Sequence, residues 1–363
     1  MSGIYIHIPF CATRCIYCDF FSTTLKGKAH EYVDSVIEEY NVRSGFLPKE
    51  EPLRTIYLGG GTPSQLPSQE LRRLIDHVTD YNTVEEITIE ANPEDVCDEW
   101  IKYLKDIPHL RISMGVQSLV DDELRMLNRR HNSKKPADAV SLLRSNGVRN
   151  VSLDLMYGLP GQTIESWNKS IDGIIALSPE HISAYCLSIE EGTRMEQLVD
   201  NGILSPADDD LCLQMAEILR NKLKAAGYTQ YEISNYSRPG FESKHNSSYW
   251  DGTPYLGLGP GAHSYDGHKL RCWNEPDILA YLNGRRKEGC ETLSETDIFN
   301  ERVMLGLRTS KGANIELLQN KALNGIIKKL SKRELVTIKN NHLVLTEAGL
   351  ALADEVIREL MID

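Results

Sequence analysis

Three cysteines, Cys11, Cys15 and Cys18, lie within eight residues near the start of the chain, in the stretch FCATRCIYCDFF. Thiolates select zinc, Cu(I) or iron–sulfur clusters. A structural zinc site needs four protein ligands, yet the chain has no second cysteine pair, and the nearby His7 belongs to a strand pattern. Three thiolates on a 4Fe–4S cluster leave one iron open to an external ligand. The spacing therefore favours a cluster over zinc, and either of them over a chance grouping.

The cysteines follow the first of six predicted strands. The β-branched and aromatic residues of GIYIHIP predict a buried strand, which Pro9 ends. Helical patterns separate the strands, as at 30–40 and 136–147, and repeated strand–helix units predict a parallel sheet. The predicted fold is α/β, a partial (β/α)6 TIM-like barrel rather than an eight-unit closed barrel. The strands are predicted at residues 3–9, 55–66, 85–94, 111–119, 151–163 and 181–193.

Chemistry in such folds lies at the carboxyl ends of the strands, where GGGTP, EANPE, GVQS and DLMYGLPGQ join the cysteine loop. Three consecutive glycines at 59–61 exceed what a strand–helix turn needs, so we interpret them as a ligand loop. Glu90 and Gln117 end two strands, and Asp154 lies in an apolar stretch where a carboxylate must find partners. Arg129 is either a partner for a carboxylate or an ordinary surface arginine.

The pattern changes after about residue 200. One long helix is predicted at 206–227, and the stretch 231–267, rich in Gly, Ser, Asn and aromatic residues, is interpreted as loops. The tail predicts a mainly helical, winged-helix-like module with helical segments at 297–308 and 314–331, a hairpin at Asn340 and Asn341, and a helix beginning at Thr346. The predicted domains are 1–230, a loop-rich extension at 231–285, and 286–363.

The segments IYIHIPFC, GGGTPS, IEANPE, SMGVQS, LNRRH and DLMYGLPGQT closely resemble those of oxygen-independent coproporphyrinogen III dehydrogenases and their relatives in the radical S-adenosylmethionine (SAM) superfamily. The resemblance implies a 4Fe–4S cluster on Cys11, Cys15 and Cys18, whose open iron chelates the methionine part of SAM. From the residues alone, Tyr5 and Tyr17 could be core aromatic side chains. The resemblance places the following residues around SAM, and leaves open whether a second SAM binds: Tyr5, Tyr17, Gly60, Gly61, Thr62, Glu90, Gln117, Arg129 and Asp154.

Two features separate the chain from the dehydrogenase branch. That branch has a fourth cysteine at the position of Phe20, which can neither donate a proton nor bind a metal. The stretch HNSSYW, from His245 to Trp250, offers an axial ligand for heme iron and aromatic rings that could stack on a porphyrin. Both features resemble HemW-type heme chaperones, in which the motif's histidine serves in heme binding. His263 is a poorer second candidate, more consistent with an ordinary loop residue.

The bulk composition limits the choice of partners and compartment. A net charge of −12 makes nucleic acid an unexpected partner. With no transmembrane-length apolar run and no signal peptide, we expect a cytoplasmic protein, and transient membrane association remains open. All eight cysteines are expected to be reduced. The five outside the loop are interpreted as small buried apolar residues: Cys97, Cys186, Cys212, Cys272 and Cys290.

Three hypotheses compete at this stage. The first is a heme chaperone that carries the cluster and exchangeable SAM, and delivers heme to an acceptor hemoprotein; the resemblance implies respiratory-chain clients. The second is a radical SAM oxidoreductase acting on a porphyrinogen or related substrate. The third is a binding protein whose cluster is purely structural. Phe20 and His245 favour the first hypothesis, with no residue assigned to catalysis.

Overall fold

A parallel sheet of six strands forms the first half of the chain in this computed structural model, which describes residues 2–319 and 321–362. The strands are β1 (Ser2–Ile8), β2 (Leu53–Gly60), β3 (Glu86–Ala91), β4 (Leu110–Gln117), β5 (Asn150–Tyr157) and β6 (His181–Cys186), adjacent in that order. The connecting helices are α1 (Ala29–Arg43), α2 (Ser68–Val78), α3 (Asp98–Ile101), α4 (Asp121–Met126), α5 (Lys135–Ser145) and α6 (Ile164–Leu177). The predicted partial barrel is confirmed.

Alternation along the strands determines which side chains face the barrel interior. One face is apolar throughout and packs against the helices, as Ile4, Ile6 and Ile8 do in β1. The other face is polar in its central strands, and residues such as Glu90 and Asp154 line a cavity there. Period-two alternation assigns each strand one apolar and one polar face, so the polar groups converge inside the barrel.

Further strands extend the sheet at both edges. The next elements are α7 (Arg194–Asp200), α8 (Asp209–Ala225), β7 (Thr229–Gln230), β8 (Asn235–Ser237), α9 (Lys244–Trp250), β9 (Tyr255–Leu258), β10 (His263–Tyr265), β11 (Leu270–Asn274), α10 (Ile278–Leu282) and β12 (Glu288–Thr292). β9 pairs in parallel with β1, whereas β8 runs antiparallel to β6. Within the described residues the sheet has twelve strands, in the order β12-β11-β10-β9-β1-β2-β3-β4-β5-β6-β8-β7.

The stretch 231–267 differs from the loops predicted for it. It contains three short strands, β8, β9 and β10, and helix α9, and HNSSYW lies on that helix rather than in a loop. Glycines with positive φ, such as Gly259 and Gly261, separate the strands, which are too short to show alternation in the sequence. The predicted loop-rich extension is thus integrated into the barrel sheet.

The C-terminal segment forms a second small sheet covered by helices, with its own apolar core. Its elements are α11 (Glu295–Leu307), β13 (Ala313–Asn314), α12 (Lys321–Lys332), β14 (Val336–Lys339), β15 (His342–Leu345), α13 (Glu347–Ala351) and α14 (Ala353–Leu360). The predicted hairpin is present, because Asn340 and Asn341 adopt positive φ between β14 and β15. The predicted helix at 314–331 is wrong in its first part, where Ile315–Leu318 is a 3₁₀ turn.

The remaining cysteines do not all match the prediction of buried, reduced thiols. Cys272 and Cys290 lie directly opposite each other on β11 and β12 and form a disulfide. Cys97 and Cys186 are exposed. The pairing depends on strand register, which the sequence pattern did not reveal. Among the described residues, no helix combines the length and apolarity needed to cross a membrane.

Candidate functional site

A cavity of about 390 Å³ opens at the carboxyl ends of the barrel strands. It is lined by all three cysteines of the loop and by eight of the nine residues that the resemblance placed around SAM. Those eight come from strands β2, β3, β4 and β5 and from three loops, so the barrel brings together residues far apart in the sequence. They are Tyr17, Gly60, Gly61, Thr62, Glu90, Gln117, Arg129 and Asp154.

The cysteine loop is closed at its base and receives hydrogen bonds at two sulfurs. The backbone N–H of Cys11 donates to the Thr23 carbonyl at 2.9 Å. The Thr62 hydroxyl donates to Cys11 Sγ at 3.4 Å, and Arg129 Nη1 donates to Cys15 Sγ at 3.5 Å. Hydrogen bonds to ligand sulfurs are a feature of iron–sulfur sites, where they tune the properties of the cluster.

The three thiols share the cavity without converging on one point. Within residues 2–319 and 321–362, no group of three or more His, Cys, Asp or Glu side chains could hold a single metal ion. His7 does not complete a zinc site, because its ring nitrogens lie 3.1 Å from the Tyr5 hydroxyl and 2.8 Å from the Phe21 carbonyl. A cluster whose irons each take one thiolate fits this donor set better than one zinc ion does.

The glycine turn after β2 packs tightly against β1. Gly60 has a φ of +103°, and a Cβ there would lie 2.5 Å from the His7 ring. A Cβ on Gly61 would lie 2.8 Å from the Ile8 carbonyl oxygen. These two glycines are therefore required by the approach of β1, in addition to any role in a ligand loop.

Two half-buried carboxyl groups, Glu90 and Asp154, face the interior of the barrel. Tyr57 donates its hydroxyl hydrogen to Glu90 at 2.6 Å, and the Gly60 N–H donates to the same carboxyl at 3.2 Å. Burial raises the pKa of Glu90 to about 7. Burial also raises the pKa of Asp154. A cationic ligand would stabilise the ionised form of both groups, so the site is suited to a molecule that carries positive charge.

Arg129 and Gln117 are held in fixed positions at the cavity wall. Arg129 Nη2 donates to the Gly115 carbonyl and to Asn92 Oδ1, both at 2.6 Å. From the sequence, Arg129 was expected either to pair with a carboxylate or to be an ordinary surface arginine, and its partners show neither. Gln117 lies at a register shift in β4 and has a φ of +66°, a conformation rare for a non-glycine residue. Such outliers persist where surrounding contacts impose them, and they cluster at ligand sites.

Helix α9 separates this cavity from a second one of about 960 Å³. Asn246 lines the first cavity, whereas Tyr249 and Trp250 line the second. The helix is short, and its N-terminal N–H groups are satisfied by Ser243 and by Glu86, which accepts from Lys244 and His245.

His245 is wholly buried inside that helix partition. Nδ1 lies 2.9 Å from the Thr55 hydroxyl, Nε2 lies 2.9 Å from the Tyr249 hydroxyl, and the ring stacks on Tyr57. Burial lowers the pKa of His245 to about 3, so the ring is neutral at physiological pH. His245 borders neither cavity, and His263, stacked on Trp273, also borders neither.

Comparisons with known proteins match both parts of the chain. The family model described as "Radical SAM superfamily" matches residues 5–174, and "HemN C-terminal domain" matches residues 293–352. Curated relatives named "Heme chaperone HemW" match from Lactococcus lactis, 36% identical over 100% of this chain and 98% of the relative, and from Bacillus subtilis, 34% identical over 98% of each. The chain belongs to the HemW family of radical SAM proteins.

The fold of this HemW family member is also shared with a solved structure. Coproporphyrinogen III oxidase (HemN) from Escherichia coli aligns with a TM-score of 0.80 at 20% identity, covering 99% of this chain and 90% of that one. This likeness concerns the fold alone. Membership of the radical SAM superfamily implies a 4Fe–4S cluster and SAM as cofactors, and the first cavity contains a donor set that fits them.

Phe20 lies at the edge of the first cavity with 60% of its surface exposed. A large apolar side chain at the edge of this cavity offers packing surface but no acid, base or ligand. In this HemW family member, Phe20 is therefore accessible to a ligand that enters the cavity. A phenylalanine in place of a cysteine at this position changes the chemistry that such a ligand meets.

Some predicted residues lie outside the cavity, and others were missed. Tyr5 is directed to His7 and to the Tyr57 ring, whose centroid is 6.1 Å from its own, and does not line the cavity. Asn92 was missed, although it connects Arg129 and Thr62 by hydrogen bonds. It belongs to the EANPE segment, whose position at a strand end was the available signal. Arg111, fully buried beneath the carboxyl groups, gave no sequence signal at all.

Proposed function

We propose that the chain is a heme chaperone that binds heme and transfers it to an acceptor hemoprotein. Its relatives from several bacteria carry that name and align over nearly the full length of this chain. The observation that carries the proposal is Phe20, an exposed apolar residue at the cavity mouth where the catalytic branch has a cysteine. Respiratory-chain hemoproteins are the proposed acceptors, following the resemblance.

We further propose that Cys11, Cys15 and Cys18 hold the 4Fe–4S cluster, with SAM exchangeable at the open iron. Together the two cofactors supply one-electron chemistry at the sulfonium group of SAM. Gly60, Gly61 and Thr62 are assigned to the methionine part. Glu90, Gln117 and Asp154 are assigned to its polar and cationic groups, and Arg129 to the cluster-facing wall beside Cys15. What supports these assignments is their shared place on one cavity.

We keep His245, which the sequence indicated, as a proposed heme ligand. The hydrogen bond between its Nε2 and the Tyr249 hydroxyl must break before it can bind iron. Tyr249→Phe removes that competitor, so this variant should bind heme at least as tightly as the wild type. His245→Ala should bind heme more weakly, and unchanged heme binding in His245→Ala would reject this histidine as the ligand.

The proposed function is tested by anaerobic reconstitution of the cluster, followed by heme titration with and without SAM. We expect one heme per chain and a change in the cluster's spectroscopic signal when SAM is added. A signal that SAM leaves unchanged would support the third hypothesis, in which the cluster is purely structural. A chain that takes up no heme in either condition would overturn the proposal.

A radical SAM oxidoreductase is the second candidate. Glu90 and Asp154 favour it, because carboxyl groups with raised pKa values in a cavity are typical of sites that transfer protons. This candidate predicts 5′-deoxyadenosine formation that depends on a substrate under reducing, anaerobic conditions. Conversion of coproporphyrinogen III would show that Phe20 does not exclude the reaction of the dehydrogenase branch.

A further inference from the structure

The second cavity lies between the barrel and the C-terminal segment, on the opposite side of helix α9 from the cysteines. Its volume of about 960 Å³ is at the upper end of the range for small-molecule sites, large enough for a tetrapyrrole. One wall comes from α9 and the strands β9 to β11, and the other from α11, β13 and the start of β15. None of the residues assigned above to the cluster or to SAM lines it.

Aromatic rings form the barrel wall of this cavity. Tyr249 and Tyr255 meet edge to face with centroids 4.8 Å apart, and Tyr265 follows at 6.4 Å from Tyr255. Beside them the indole N–H of Trp250 is buried and has no hydrogen-bond partner among the described residues. A wall of rings with an unused donor suits a large, flat, mainly apolar ligand with polar edges.

Two cations on the other wall are available to a ligand. Arg302 and Lys311 line the cavity, are exposed, and form no ion pair within the part of the chain that the structure describes. Arg271 also lines it but is already bound by both oxygens of Glu301, at 2.9 and 3.0 Å. Two free cations match a ligand that carries two carboxylates.

His342 offers an iron ligand on the same wall. Its Nδ1 lies 2.9 Å from the Asn340 carbonyl oxygen, which fixes the proton on that nitrogen. Nε2 has no hydrogen-bond partner among residues 2–319 and 321–362. A histidine whose Nδ1–H donates to a backbone carbonyl presents Nε2 in the form that binds metals.

We propose that this second cavity is the seat of heme, with His342 as an iron ligand and Arg302 and Lys311 pairing with the two propionates. This inference rests on the proposed function and adds a location to it. His342 lines the cavity directly. His245 lies behind Tyr249, whose hydroxyl group separates it from the cavity.

The test is an anaerobic titration of the reconstituted full chain with hemin, followed by the Soret band. Two variants alter the cavity: His342→Ala, and the pair Arg302→Glu with Lys311→Glu. Their matched controls are His77→Ala, an exposed histidine on α2, and the pair Lys328→Glu with Lys332→Glu on α12, none of which lines the cavity. SAM binding in the first cavity reports that each variant is folded.

We expect both cavity variants to bind heme about tenfold more weakly or worse, because each loses charge-assisted or metal–ligand contacts. His342→Ala should also change the Soret spectrum, and the controls should match the wild type. If both cavity variants bind heme with the affinity and Soret spectrum of the wild type, this location is wrong and the proposed function is unaffected. Failure of the wild type to bind heme would overturn both.

Discussion

Glu90 shows how burial tunes one residue of the first cavity. Its carboxyl group accepts hydrogen bonds from Tyr57 and from the Gly60 backbone, which favour the ionised form, yet burial and the nearby Asp154 outweigh them. The resulting pKa of about 7 means that the carboxyl group is partly protonated at neutral pH when the cavity holds no cation.

SAM affinity should therefore rise as the pH rises through about 7, because a cationic ligand prefers the ionised carboxylate. Glu90→Gln should weaken SAM binding by roughly tenfold and remove this pH dependence. Equilibrium binding at about pH 6 and pH 7.5 measures both effects. Asp76→Asn, on the exposed surface of α2, is the control. Equal pH dependence in Glu90→Gln and the wild type would show that another group titrates.

His245 links buried polarity to stability in acid. The folded chain keeps the ring neutral, with a pKa of about 3, while an unfolded chain protonates it near pH 6.5. Below about pH 6.5 the unfolded state binds the extra proton, so the contribution of His245 to stability falls as the pH falls.

Lowering the pH from about 7 to about 5 should cost about 2 kcal/mol through His245 alone. Glu90 and Glu232 have raised pKa values and oppose this trend, so the test is a difference between proteins. Denaturant unfolding measures the free energy of unfolding at the two pH values. Between them, His245→Gln should lose about 2 kcal/mol less of this free energy than the wild type does. His77→Gln, an exposed control, should behave as the wild type. A His245→Gln profile parallel to the wild type would contradict the assigned cause.

The turn after β2 is the element whose geometry positions the first cavity. Gly60 combines positive φ with contact to His7, which is itself fixed by Tyr5 and Phe21. The close packing of β1 against β2 places Gly61 and Thr62, which follow Gly60, on the cavity wall.

Gly60→Ala should lower the free energy of unfolding by about 2 kcal/mol or more, since its methyl group meets the His7 ring and the backbone angle is unfavourable. Gly45→Ala is the matched control, because a Cβ there meets nothing within 4 Å and its φ is ordinary. Denaturant unfolding compares the two. Equal stability of both variants would show that the turn relaxes freely.

Element length explains which parts of the fold the sequence could predict. The six barrel strands have six to eight residues and apolar alternation, so their existence and order follow from pattern alone. Helix α9 has only seven residues. Ser243 caps it locally, but the N–H groups of Lys244 and His245 donate to Glu86, which is 157 residues away from Ser243. No local pattern encodes such a contact, so HNSSYW was assigned to a loop and the burial of His245 was not foreseen.

At the scale of the whole molecule, the barrel and the C-terminal segment form two cavities on either side of α9. The first gathers residues from strand ends, a position that the fold class predicts. The second cavity depends on how the C-terminal segment packs against α9 and β10. No local sequence pattern encodes this packing. A single thin helix between the two means that heme and SAM, as proposed, would bind near each other without sharing a wall of side chains.

The proposal that this chain carries heme to acceptors is tested most directly by transfer itself. The cluster-loaded, heme-loaded chain is mixed anaerobically with membranes whose respiratory hemoproteins lack heme, and difference spectra follow both partners. We predict that cytochrome bands appear as heme leaves the chain, faster than with the same amount of free hemin. Heme that stays on the chain, or cytochromes that fill no faster than with free hemin, would contradict a chaperone function.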